Sequence, residues 1–322
     1  MLAIVCPGQG SQTPGFLAPW LELPAFRERL ESLSDVAGLD LVAHGTTSDA
    51  ETIKDTAVAQ PLIVAAGLAA AAVVLPGGRS GAVGVTAGHS VGEITAAAFA
   101  GVLSDHDAMV FVRERGAGMA AASALTPTGM SAVLGGDPAE VAEALARYGL
   151  TAANANGAGQ TVAAGTLEQL AAFAADPPAK TRVIPLQVAG AFHTTHMSPA
   201  VEALERLSAD FDVSDPGVTL LSNADGQPVA DGANALARLV AQVSSPVRWD
   251  LCMQTMVDLG VTALVELAPA GTLVGLAKRA MPGVATLAVK TPDDLEAAHQ
   301  LVRDHGGDPA DAGSLPTHAQ EA

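Results

Sequence analysis

Residues 82–100 read Ala82-Val-Gly-Val-Thr-Ala-Gly-His-Ser-Val-Gly-Glu-Ile-Thr-Ala-Ala-Ala-Phe-Ala100. The apolar run over 82–86 predicts a buried strand, and the alanine-rich run over 91–100 predicts a helix. Between them stands Gly88-His89-Ser90-Val91-Gly92, the pattern of a serine on a tight strand-to-helix turn. Such a turn strains the serine backbone, and glycines on either side let the chain pass close to its neighbours. The helix start then offers the Val91 amide and a favourable dipole to a developing oxyanion. Five residues alone carry little weight, because a serine in that place is also an ordinary helix cap. A strand before it and a helix after it make the nucleophilic reading of Ser90 the stronger one.

The same alternation of strand and helix extends outward from this stretch. Short apolar runs over 2–5, 218–221, 263–267 and 284–287 read as further strands, and residues 8–12 as a loop at the end of the first. This predicts an α/β protein with a mostly parallel central sheet. Pro61 opens an apolar run over 62–75, closed by Pro76-Gly77-Gly78. At 14 residues it is short of the ~20 that span a bilayer, so a buried core helix is expected. Ser104 is expected to cap a helix running to about residue 119. The character changes at Thr126-Pro-Thr-Gly129. Strands over 130–134, 150–153, 161–164 and 181–186, with helices over 138–148 and 167–175, give the order of a small ferredoxin-like unit. We therefore expect a large α/β domain over 1–127 and 190–305, a ferredoxin-like subdomain inserted over 128–189, and a disordered tail over 306–322.

With 322 residues, 49% hydrophobic and 16% charged, the chain is long enough for a sizeable core and is not a disordered polymer. Its 34 acidic residues against 16 basic ones give a net charge of −18. That excludes nucleic acid or an anionic membrane as the main partner, since both require a basic footprint. Cys6 and Cys252 are too few for a disulfide framework, and no Cys/His spacing suggests a metal site. The start, Met1 to Pro7, has no basic region before its apolar run, so a cytoplasmic chain is expected. Nothing indicates an obligate interface, and a monomer is expected.

A nucleophilic serine needs a base. His44, His106, His299, His305 and His318 lie in polar or terminal stretches, and His89 is expected to point away from its neighbour. His193 and His196 remain, and each reads equally well as a satisfied, half-buried histidine. Of the acids between Ser90 and His193, Asp105, Asp107, Asp137 and Asp176 end no convincing strand, which counts against a standard triad.

Pro7-Gly-Gln-Gly-Ser-Gln12, Gln60-Pro61, Gly88-His-Ser-Val-Gly-Glu93, Arg115-Gly116, Asn156 with Gly159-Gln160, and Gly190-Ala-Phe-His193 stand in the order of one family. Over about residues 5–275 the chain resembles the malonyl-CoA:acyl-carrier-protein transacylases of fatty acid synthesis and the acyltransferase domains of polyketide synthases. The resemblance implies a hydrolase-like α/β domain with an inserted ferredoxin-like subdomain. It implies malonyl transfer from malonyl-CoA to the phosphopantetheine thiol of acyl carrier protein through a malonyl-serine ester, with no cofactor. It assigns the nucleophile to Ser90, the base to His193, the oxyanion amides to Gln9 and Val91, and the carboxylate-binding arginine to Arg115. Asn156 would lie beside the acyl pocket, and Phe192 would fill the space an α-methyl group needs.

Helix periodicity does not separate Arg113 from Arg115, so the choice of Arg115 rests on resemblance. By the same resemblance, a backbone carbonyl local to Arg248, where the family often carries Gln, would orient the histidine. Cys6 replaces a common aromatic, and a reactive thiol and a buried structural one are both open. The alternatives are a freestanding polyketide acyltransferase, or a serine esterase or thioesterase on the same elbow. Carrier proteins are acidic, so docking on an acidic chain needs a local basic patch. Lys180 with Arg182, and Lys278 with Arg279, are the candidates.

Overall fold

The computed structural model describes residues 1–76 and 81–307, so most of the expected tail lies outside the described residues. Its strands are β1 (Leu2–Cys6), β2 (Val85–Gly88), β3 (Thr128–Gly135), β4 (Thr151–Gly157), β5 (Gln160–Thr166), β6 (Thr181–Pro185), β7 (Thr219–Leu221), β8 (Pro228–Val229), β9 (Val247–Arg248), β10 (Ala263–Glu266) and β11 (Ala285–Ala288). They form two mixed sheets in an α/β fold. The first has the order β11-β10-β1-β2-β7-β8 and is parallel except for the β7–β8 pair. The second has the order β6-β3-β5-β4-β9 and is antiparallel except where β9 joins β4.

β1 shows why the first sheet is covered on both faces. Leu2, Ile4 and Cys6 pack into one apolar cluster, Ala3 and Val5 into another, and all five are fully buried. A strand buried on both sides reads as a continuous apolar run, because alternate side chains enter two different cores. β2 runs Val85–Gly88, three residues later than the run over 82–86 suggested. Its register, Ala3 opposite Val85 through Cys6 opposite Gly88, carries the strand directly into the serine turn.

On one face of this sheet an elbow helix (Gly92–Ala100) packs against β1 and β2, a core helix (Thr56–Val74) packs against the elbow helix, and an arginine helix (Asp105–Ser123) packs against the core helix. The core helix starts five residues before Pro61, because the Asp55 side chain accepts the Ala57 amide and caps it. Pro61 is therefore an internal residue rather than the opening one. At 19 residues the helix is long and apolar enough to cross a membrane by length and composition, yet 72% of it is buried inside the protein. The arginine helix begins where expected, with Ser104 Oγ accepting the Asp107 amide at 3.0 Å, and ends at Ser123, four residues beyond the expected end.

In the second sheet, alternation sorts the two faces again. Val133 and Ala163 pack with Val141, Leu145, Leu170 and Phe173 of the helices Pro138–Arg147 and Leu167–Ala175. Met130, Ala132 and Val162 face the other way, toward the carboxyl ends of β1, β2 and β10. The cleft of the molecule lies between that face and those strand ends.

Candidate active site

The carboxyl ends of β1 and β2 are neighbours, so the Gly8-Gln9 loop and the serine turn lie against one another. A Cβ on Gly8 would fall 2.7 Å from the His89 carbonyl oxygen. One on Gly88 would fall 1.9 Å from the Gly92 carbonyl carbon, and one on Gly92 would fall 2.2 Å from the Cys6 carbonyl oxygen. Both flanking positions therefore exclude every side chain. Ser90 itself sits at φ 56°, a left-handed conformation that a non-glycine residue adopts only when its surroundings enforce it. The enforcement is visible: the Ser90 amide donates to Asn223 Oδ1 at 2.8 Å, and Asn223 Nδ2 donates to the Gly88 carbonyl at 2.7 Å.

Ser90 Oγ lies 2.7 Å from His193 Nε2. His193, also at positive φ (61°), places Nδ1 2.9 Å from the backbone oxygen of Gln242. A carbonyl only accepts, so the imidazole proton resides on Nδ1, and Nε2 is the acceptor facing the serine hydroxyl. The histidine is 3% exposed, and burial first, with Arg115 second, holds it down to about 3. It is neutral at pH 7. His196, the other candidate, is not in this arrangement. The four candidate acids serve elsewhere: Asp105 pairs with Arg29, Asp107 and Asp137 belong to helix starts, and Asp176 accepts from Tyr148.

The orienting group is a backbone carbonyl, but it belongs to Gln242, at the end of the helix Gly232–Gln242. The vicinity of Arg248 was the wrong place for it, since Arg248 lies in β9 with its guanidinium on Asp250. Gln242 does more than offer its carbonyl. Its side-chain nitrogen donates to the Ser90 carbonyl at 3.0 Å and to Glu93 Oε2, while its side-chain oxygen accepts from Arg115 Nη2 at 2.6 Å. Glu93 also accepts the Asn223 amide at 2.6 Å, and burial pushes its carboxyl up to about 8. Gln242 and Asn223 carry no local pattern in the sequence; only the glutamate of the serine motif hints that a buried polar partner set exists.

The arginine helix buries one of the two arginines that periodicity did not separate. Arg115 is 1% exposed, with burial bringing it down to about 10, whereas Arg113 reaches out to the Val36 carbonyl. Arg115 is not in the cleft wall, however: Gln60 stands there, accepting from Arg115 Nη1 at 2.6 Å.

The cleft has a volume of about 220 Å³, and Gln9, Ser90, Asn156, Phe192 and His193 are all in its wall. Val91 is fully buried, and among the described residues no acceptor takes its amide or that of Gln9. Asn156 Oδ1 lies 2.9 Å from His89 Nε2, and the His89 ring meets Trp249 edge-on at 5.8 Å. His89 thus ties the serine turn to the second sheet. Opposite, the helix Thr272–Ala280 presents Thr272, Leu273 and Leu276 to the cleft. Buried Glu266 fixes its start by accepting the amides of Gly271, Leu273 and Val274 at 2.9–3.0 Å. Cys6 is fully buried, which pushes its thiol pKa up; it is a packing residue. No cluster of metal-binding side chains occurs among the described residues.

The acyl transferase domain model matches residues 3–309. A malonyl CoA-acyl carrier protein transacylase of Mycobacterium tuberculosis is 52% identical over 301 residues, covering 92% of this chain and 98% of that one. The crystal structure of an MCAT from the same species superposes with a TM-score of 0.88, at 52% identity, over 93% of this chain and 99% of the other. A malonyl-transacylase solved in complex with the acyl-carrier protein of a type II polyketide synthase gives a TM-score of 0.87 at 30% identity, over 93% and 99% of the two chains.

Proposed function

The chain belongs to the acyl transferase domain family, and from that premise we propose that it moves a malonyl group from malonyl-CoA to the phosphopantetheine thiol of acyl carrier protein through an ester on Ser90. The observation that carries the mechanism is the Ser90 Oγ–His193 Nε2 hydrogen bond of 2.7 Å, with Nδ1 locked onto the Gln242 carbonyl. His193 Nε2 takes the hydroxyl proton as Ser90 Oγ attacks the thioester carbonyl. The C–S bond breaks, and the CoA sulfur leaves with that proton. The carrier thiol then gives its proton to His193 and attacks the ester, and Ser90 recovers its hydroxyl. The amides of Gln9 and Val91 receive the oxyanion in both halves. Arg115 binds the terminal carboxylate, and Phe192 closes the space beside the α-carbon. The serine ester stores the acyl group between the halves, so the scheme needs no cofactor.

We read the large sheet as the hydrolase-like domain. In the smaller sheet, the β6-β3-β5-β4 order and antiparallel pairing support a ferredoxin-like unit, extended by β9 from outside residues 128–189. For the acidic carrier, Lys180 and Arg182 are the favoured landing site. Arg182 pairs across the sheet with Leu134, and Leu134 with Gln160 of the cleft wall. Lys278 and Arg279 lie in the last turn of their helix, roughly 9 Å along its axis from Thr272 at the cleft.

Malonyl-CoA alone should leave a stable adduct of about 86 Da on Ser90 by intact mass, absent in Ser90→Ala. Rapid CoA release without an adduct would mean hydrolysis and would overturn the transfer reading.

A further inference from the structure

Each terminal nitrogen of Arg115 is engaged by an amide oxygen. Nη1 donates to Gln60 Oε1 and Nη2 to Gln242 Oε1, each at 2.6 Å. The two amide oxygens are held very differently. Gln242 is anchored at its other end, where Nε2 donates to Glu93 and to the Ser90 carbonyl. Among the described residues the Gln60 amide nitrogen has a single partner, the Met119 thioether at 3.4 Å, and a thioether is a weak acceptor. Gln60 and Met119 both stand in the cleft wall, whereas Gln242 and Arg115 do not. Moving Gln60 therefore sacrifices one bond to the guanidinium and one weak contact; moving Gln242 would dismantle the support of Ser90 as well.

We infer that Gln60 is a displaceable cap on Arg115: its amide oxygen holds the place of the acyl group's carboxylate in the empty enzyme and yields it when a carboxylate arrives. The inference rests on reading Arg115 as the carboxylate site, and adds how a buried arginine comes to be reached. An ionised carboxylate outcompetes a neutral amide oxygen for a guanidinium, because both partners carry charge. A neutral acyl group cannot make that exchange, so it meets a wall in which the Gln60 amide still occupies Arg115 Nη1. Discrimination then lies in the difference between two acceptors rather than in an open positive charge. The cap also gives Nη1 of a buried cation an acceptor in the empty site.

The test is the ratio of malonyl to acetyl adduct formation on Ser90, measured within each variant so that losses common to both substrates cancel. Arg115→Met tests the underlying reading; its ratio should collapse, and a ratio that survives overturns the carboxylate assignment itself. Gln60→Glu supplies a cap that does not yield, and the ratio should fall ~100-fold. Gln60→Met, neutral and similar in size, removes the cap, and its ratio should equal or exceed that of the wild type. It also gives an independent answer should the glutamate variant fold poorly. If Arg115→Met loses the preference while Gln60→Glu keeps it, or if Gln60→Met loses it, the cap is refuted and the arginine reading stands.

Discussion

Acid should leave this serine's reactivity almost untouched. An imidazole with the ordinary value near 6.5 is only about 3% neutral at pH 5, so a rate carried by a solvated histidine would fall roughly 30-fold between pH 7.5 and 5. His193 is held down to about 3, by burial first and by Arg115 second. A lowered value favours the neutral form, and the base is lost only as pH falls through about 3. The single-turnover rate of malonyl adduct formation, read by rapid quench and intact mass, should therefore change less than about twofold over that range. Arg115→Met removes the second cause and should move the acid limb upward. The same shift acts against the fold: below 6.5 the unfolded chain takes up a proton that folded His193 refuses. Stability should decline by up to ~1.4 kcal/mol per pH unit on this account until about 3. A wild-type acid limb centred between pH 6 and 7 would show that His193 is solvated in the working enzyme, and the argument from burial would fail.

Three further outcomes are expected. Gly92→Ala forces a Cβ to within 2.2 Å of the Cys6 carbonyl and should cost about 3 kcal/mol or more, seen as a Tm lowered by roughly 6 °C. Phe192→Ser opens the cleft wall and should raise methylmalonyl relative to malonyl adduct formation by about tenfold, by competition mass spectrometry. Exchanging Lys180 and Arg182 for Ser should raise the carrier-protein KM several-fold at low salt and leave the malonyl-CoA half-reaction unchanged; an unaltered KM would remove that docking site.

What could be read from the chain, and what could not, divides along physical lines. The elbow was legible because its requirements are local: a buried strand, two glycines and a helix start within eleven residues of one another. The faces of β1 were legible as a buried run, though not the fact that two cores share it. Asn223 and Gln242 were not legible. They act on Ser90 from 133 and 152 residues away, and an isolated Asn or Gln announces nothing about the backbone it will meet. The orienting carbonyl was misplaced toward Arg248 for the same reason, since every residue owns a carbonyl and only tertiary packing selects Gln242. Arg115 against Arg113 turned on helix rotation, which apolar neighbours on both sides left undetermined. The start of the core helix was legible after all, in Asp55, but the apolar run drew attention to Pro61 instead.

β1 lies between β2 and β10, and the Met1 amine itself donates to Thr262, 261 residues along the chain. During synthesis, then, the first strand waits for a neighbour made near the end. Ser90 leaves the ribosome well before Asn223, Gln242 and β10 have been made. Until they arrive, the serine amide has no clamp and His193 has no carbonyl to fix its tautomer. A chain cut short before Gln242 is therefore expected to form no malonyl adduct on Ser90.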